Sequence, residues 1–80
     1  MSSAKLTYMG NQIARNFANL PHDEAVAATR DHILKFWNRV MRNRILDQLD
    51  RDKQGFDSIL VQALEGTRAS GTTSTQARAD

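Results

Sequence analysis

Apolar residues recur at intervals of three and four along most of this 80-residue chain, and this spacing limits the fold more than any other feature. The first segment shows the spacing most clearly, with Leu6, Met9, Ile13, Phe17 and Leu20. Side chains at such intervals share one face of an α-helix, so the segment is predicted to form an amphipathic helix. Ser2 or Ser3 can cap its start. Gly10 lies beside the stripe, where another helix or a partner's backbone could approach closely.

A second helix is predicted from the turn at Pro21 to about Trp37. Its apolar positions spread over nearly half of the circumference, which is wider than one neighbouring helix needs. They are Val26, Ile33, Leu34, Phe36 and Trp37, with Thr29 among them. We therefore expect one of the two adjacent aromatic residues to enter the core and the other to remain available to a partner.

Two further helices and a tail are predicted after Trp37. Asn38 can cap a third helix, which is either separate from the second or a kinked continuation of it. A fourth helix is expected to start at Asp57 and to end at Gly66. Beyond that point the sequence has no large apolar residue and is rich in serine and threonine, which predicts disorder. The predicted fold class is all-α: a small bundle of three to four short helices (1–66) with a disordered C-terminal tail (67–80).

The length and composition exclude several classes of protein. A chain this short builds a marginal core, so a partner chain or very good helix packing is expected to stabilise it. There is no cysteine, which excludes disulfides, thiolate catalysis, and the common zinc and iron–sulfur sites. No signal-like or membrane-length apolar run is present, so a cytoplasmic location and no membrane partner are expected. The net charge of +2 is too small to imply an acidic partner.

Patterns for metal binding or catalysis are weak. The stretch from Asp50 to Gly55 imitates the first half of an EF-hand calcium loop, but its twelfth position is Val61 instead of the required glutamate. His22 and His32 lie in different predicted elements, and neither has a second ligand at helical spacing. We predict no catalytic, cofactor-binding or metal-binding residue in the chain, and therefore no enzyme.

The run from His32 to Arg42 is the strongest candidate for a binding surface. Lys35, Arg39 and Arg42 would form a basic row on a continuous helix, which is one pattern of nucleic-acid binding. Three aspartates follow closely and would repel phosphates, so a protein interface is preferred and no nucleic-acid partner is predicted. Aromatic residues and arginine are enriched at such interfaces. The predicted partner-binding residues are Met9, Ile13, Phe17, His32, Phe36, Trp37, Arg39, Met41 and Arg42.

Four segments together resemble the delta subunit of NAD-dependent formate dehydrogenases. They are Met9–Phe17, Pro21–Val26, Asp31–Trp37 and Arg39–Arg42, which follow the family's order over about residues 5–65. The chain departs from the family at Asn38-Arg39, because the family usually has a proline at the second of these positions.

The resemblance implies a small accessory subunit without a redox centre, in a cytoplasmic molybdenum-containing complex. It implies larger formate dehydrogenase subunits as partners, the catalytic large subunit above all. Molybdopterin, iron–sulfur clusters, FMN and NAD are expected in those partner subunits. The implied role is to stabilise the complex or to assist its maturation. The main alternative is a self-contained helical module that forms a homodimer through the same face.

Overall fold

The computed structural model describes the backbone of residues 2–79 and the side chains of residues 2–68. Over this range every regular element is an α-helix. The helices are α1 (Ser3–Asn16), α2 (His22–Phe36), α3 (Arg39–Arg51) and α4 (Ser58–Ala79). α1 packs against each of the other three, and α2 packs most extensively against α4. The predicted all-α bundle is confirmed.

A single hydrophobic core lies between the helices. Its buried members are Leu6, Ala14, Ile33, Trp37, Ile45, Leu49, Leu60 and Leu64. α1 faces this core with residues four apart, namely Leu6, Gly10 and Ala14. The larger Met9 and Ile13 of the predicted stripe are half-buried beside that line. Small residues on α1 therefore allow its neighbours to pack close to its backbone.

Other helices approach α1 closely at Gly10. A Cβ added there would lie 2.9 and 3.0 Å from the two methyl carbons of Leu60 on α4, and 3.4 Å from Cδ1 of Ile45 on α3. The prediction that other helices approach Gly10 is confirmed. Side chains from two other helices thus fill the space that a side chain at position 10 would need.

Side-chain caps set the starts of three helices where the sequence predicted them. Ser2 Oγ and Asn38 Oδ1 each accept a hydrogen bond from the backbone N–H three residues later, at 3.2 and 2.9 Å. Asp57 Oδ1 accepts one from the N–H two residues later, at 2.8 Å. These caps confirm the predicted starts of α1, α3 and α4.

Asn11 of α1 holds the loop between α3 and α4. Its Nδ2 donates to the carbonyl oxygen of Gly55 at 2.7 Å, and its Oδ1 accepts from the backbone N–H of Asp57 at 2.9 Å. Gly55 has a φ of +85°, in the left-handed region that favours glycine. The polar turn is therefore tied to α1 immediately before α4 begins.

α4 does not end at Gly66, so this prediction is wrong. A glycine that ends a helix takes a left-handed backbone, and Gly55 alone has a positive φ in the part of the chain that the structure describes. The helix continues through Thr67, which is buried, and Arg68, which pairs with an aspartate of α3 at 3.0 Å. Residues 69–80 lie outside the described side chains, and the predicted disorder of that part stays a prediction.

Candidate partner-binding site

α2 and α3 meet at residues 36–40, which we call the corner, with Trp37 and Asn38 between the two helices. α2 ends at Phe36 because the backbone becomes extended at Trp37, with φ −101° and ψ 135°. Asn38 then caps α3. Arg42 Nη1 donates to the carbonyl oxygen of Trp37 at 2.9 Å, which satisfies an acceptor that the end of α2 leaves free. α2 and α3 are therefore two separate helices, a point that the sequence left open.

The corner places its two aromatic residues in different environments. Trp37 is 5% exposed and belongs to the core, whereas Phe36 is 71% exposed. The expectation that one ring enters the core while the other stays at the surface is confirmed. Trp37 thus anchors the corner, and Phe36 is the ring that a partner could reach.

Phe36 belongs to a row of three rings that we call the aromatic row: Phe17, His32 and Phe36. The His32 ring centroid lies 4.7 Å from that of Phe36 and 6.4 Å from that of Phe17, the latter in an edge-to-face arrangement. Phe17 follows the last residue of α1, and His32 lies on α2, so the row joins two helices. Phe17 and His32 are half-buried. The exposed ring of Phe36 is therefore supported by two less exposed rings.

The other predicted partner-binding residues lie in several environments. Met9, Ile13 and Met41 are half-buried against the core, and Arg42 is half-buried with its hydrogen bond at the corner. Arg39 is exposed and makes no hydrogen bond or ion pair with any side chain that the structure describes. The structure thus brings Phe17, His32 and Phe36 together at the surface, with Arg39 three residues beyond the row.

Sequence reasoning missed Val40, which is 64% exposed and follows Arg39. The signal was present, because Val40 is an apolar residue that does not share the spacing of the buried Ile45 and Leu49 of α3. Phe36 and Val40 therefore place exposed apolar surface on both sides of the corner.

The basic row predicted for a continuous helix does not form, because α2 ends at Phe36. Lys35 on α2 pairs with Asp31 at 3.1 Å, whereas Arg39 begins α3. Lys35 therefore does not share one helix face with Arg39 and Arg42, as the predicted row of three cations requires.

The remaining polar groups near the α3–α4 end make local structural contacts. Asp52 Oδ1 accepts a hydrogen bond from the N–H of Gln54 at 3.0 Å, within the calcium-like sequence. The hydrogen-bonded carboxylate of Asp50 raises the pKa of the Arg68 guanidinium, which stays charged.

No group of three or more potential metal ligands occurs among the described residues. No helix of that same part of the chain is long and apolar enough to cross a membrane.

The sequence model of one family matches residues 5–64, a range that covers most of α1, all of α2 and α3, the corner, the aromatic row and the start of α4. Its description is "NADH-dependant formate dehydrogenase delta subunit FdsD". No curated protein matches the chain, and no solved structure does. The resemblance found in the sequence is confirmed. The chain therefore belongs to the family of the delta subunit of NADH-dependent formate dehydrogenase, which is an accessory subunit and not the catalytic one.

Proposed function

We propose that this chain binds the molybdenum-containing catalytic subunit of a cytoplasmic NADH-dependent formate dehydrogenase, and that it stabilises that subunit or helps it to mature. The family supplies the kind of complex. The observation that carries the binding role is the aromatic row, because Phe36 remains 71% exposed although the chain has a well-formed core. Molybdopterin, iron–sulfur clusters, FMN and NAD would be held by the partner subunits.

The aromatic row suits a binding surface for energetic reasons. Complete burial of a phenylalanine side chain stabilises a complex by about 1.5–3 kcal/mol, and most of that burial is still to be gained at Phe36. The contact with His32 limits the orientations of the ring before binding. The ring of Phe36 therefore loses little conformational entropy when a partner fixes it in a pocket.

Co-expression of the full-length tagged chain with the catalytic subunit tests the binding role. Phe36→Ser is expected to abolish recovery of the catalytic subunit, because it removes the exposed ring. Tyr8→Ser is the matched control, because Tyr8 is 63% exposed but lies about 13 Å before Phe17 along α1. Both variants should keep the thermal stability of the parent, since both side chains are exposed. The proposal fails if the parent recovers no catalytic subunit or if Phe36→Ser recovers as much as the parent.

A second experiment tests the stabilising role in the cell. Deletion of the chain should lower formate-dependent NAD reduction in extracts, and re-expression of the parent or of Tyr8→Ser should restore it. Phe36→Ser should fail to restore it. If the purified mature enzyme retains the chain in stoichiometric amount, the role is stabilisation. If the enzyme is active but lacks the chain, the role is maturation.

The two rival functions give different results with the isolated chain. A homodimer module gives a concentration-independent dimer in light scattering, and Phe36→Ser converts it to a monomer. A nucleic-acid-binding protein shifts DNA or RNA at low salt, with an affinity that falls steeply as salt rises. Either result, combined with no recovery of the catalytic subunit, would replace the proposed function.

A further inference from the structure

We propose that the surface that covers the aromatic row is an acidic segment of the catalytic subunit, with an apolar side chain that packs on Phe36 and a carboxylate that pairs with Arg39. This inference rests on the proposed function and names the chemistry of the partner at the same site. It is carried by the position and the charge state of Arg39 beside the two exposed apolar residues of the corner.

Arg39 is a cation at the corner with no ion-pair partner in the part of the chain whose side chains are described. It is exposed and has no hydrogen bond or ion pair among the described residues. Two neighbouring cations are already engaged: Lys35 pairs with Asp31 at 3.1 Å, and Arg42 binds the carbonyl oxygen of Trp37. Arginine remains charged at all physiological pH values. Within the described residues, the guanidinium of Arg39 therefore has no partner, and it lies three residues after the exposed Phe36.

A partner that covers the corner must also take up this charge. Phe36 and Val40, which are 71% and 64% exposed, lie on either side of Arg39 in the sequence. Arg39 adjoins Val40 and begins α3 three residues after Phe36, so a surface that packs on both would also desolvate its guanidinium, and a desolvated cation without a partner opposes binding. A carboxylate offsets this loss best, because its two oxygens match the fork of the guanidinium. The apolar contact and the ion pair thus belong to one partner segment.

A second copy of this chain fits the corner less well. In a symmetric dimer each surface meets itself, so contact between the two Phe36 rings would place two Arg39 guanidinium groups and no additional carboxylate at the corner. Like charges that face each other across an interface oppose association. Asp31 and Asp47, the acids nearest to Arg39 in the sequence, each already pair with a basic residue one turn later. The charges of the corner therefore favour an acidic partner of another sequence.

Matched charge reversals in the full-length chain test this inference. Arg39→Glu and Lys53→Glu change the net charge equally, and Lys53 is an exposed residue in the loop between α3 and α4. Arg39→Glu should not unfold α3, because a glutamate in the first turn of a helix is favourable. Binding to the catalytic subunit is measured by quantitative co-purification at low and high salt, with Phe36→Ser as a third variant.

The expected result is an apparent affinity about tenfold or more weaker for Arg39→Glu, with Lys53→Glu close to the parent. Parent binding should also weaken as salt rises, while Arg39→Glu should lose most of that salt dependence. If Arg39→Glu binds as well as Lys53→Glu while Phe36→Ser does not bind, the acidic partner is refuted and the proposed function stands. If the parent does not bind, or if Phe36→Ser binds like the parent, the proposed function itself fails.

Discussion

Replacing Gly10 with alanine tests the packing that holds α1 against α3 and α4. In an exposed helix this change stabilises a protein by up to about 1 kcal/mol, because alanine favours the helix more than glycine does. Here the new Cβ would lie 2.9 and 3.0 Å from the methyl carbons of Leu60 and 3.4 Å from Ile45 Cδ1. Both neighbours are fully buried, so neither can move into solvent. The substitution therefore sets helix propensity against overpacking.

The free-energy cost of overpacking should exceed the free energy gained from the higher helix propensity of alanine. Extra carbon atoms in a packed core cost about 1–3 kcal/mol. Subtracting about 1 kcal/mol of propensity leaves a loss of about 0–2 kcal/mol in the free energy of unfolding, centred near 1 kcal/mol. For a domain of this size, that central value lowers the Tm by roughly 4–8 °C.

Thermal unfolding of the full-length chain, followed by circular dichroism, measures this change. Gly66→Ala is the matched control, because its Cβ would meet the half-buried side chain of Arg30 at 2.8 Å, and a long surface side chain can turn away. The control is expected to keep or raise the Tm. Leu60→Ala should partly cancel the effect of Gly10→Ala, since the two residues compete for one space. A higher Tm for Gly10→Ala would refute the close packing at this glycine.

Three further changes have defined expected effects on stability. Thr29→Val should raise the free energy of unfolding by about 1 kcal/mol, seen as a higher urea midpoint, because the buried Thr29 Oγ1 has no hydrogen-bond partner among the described residues. Asn11→Ala should lower the free energy of unfolding by about 2 kcal/mol in the same assay, because two hydrogen bonds to the α3–α4 loop are lost. Asn11→Asp should lower it by a smaller amount. Asn38→Ala should cost about 1 kcal/mol through loss of the α3 cap, with a lower Tm as the readout. An unchanged Tm in this last variant would show that the packed Trp37, and not the cap, holds the corner.

Local signals in the sequence were sufficient for the helix starts. Ser2, Asn38 and Asp57 each act through a hydrogen bond to a residue two or three positions away. Such caps depend on nearby backbone geometry, so sequence reasoning located them correctly. The end assigned at Gly66 failed because glycine has two uses in a helix: it can end the helix, or it can leave space for a crossing side chain. Only the fold shows that the Arg30 side chain lies against Gly66.

The face of α1 that enters the core could be predicted only in part. Hydrophobic spacing favoured the large residues Met9 and Ile13, but the buried line runs through Gly10 and Ala14. Hydrophobicity ranks these two residues low, although the missing side chain at Gly10 is what allows Leu60 to approach the backbone. Close packing between two helices depends on the shapes of both surfaces, and the sequence of one helix does not predict the surface shape of the other.

The backbone of the corner would accept a proline at position 39 as well as the arginine that this chain has there. Arg39 is the first residue of α3, and proline is favoured at that position because it needs no N–H partner. Asn38 already starts the helix through its cap, and its extended backbone, with φ −79° and ψ 174°, is the conformation that a following proline requires. The start of α3 therefore does not depend on which side chain is present at position 39. It follows that Phe36 would supply the apolar part of the proposed interface, while the salt-dependent part would depend on the cation at position 39.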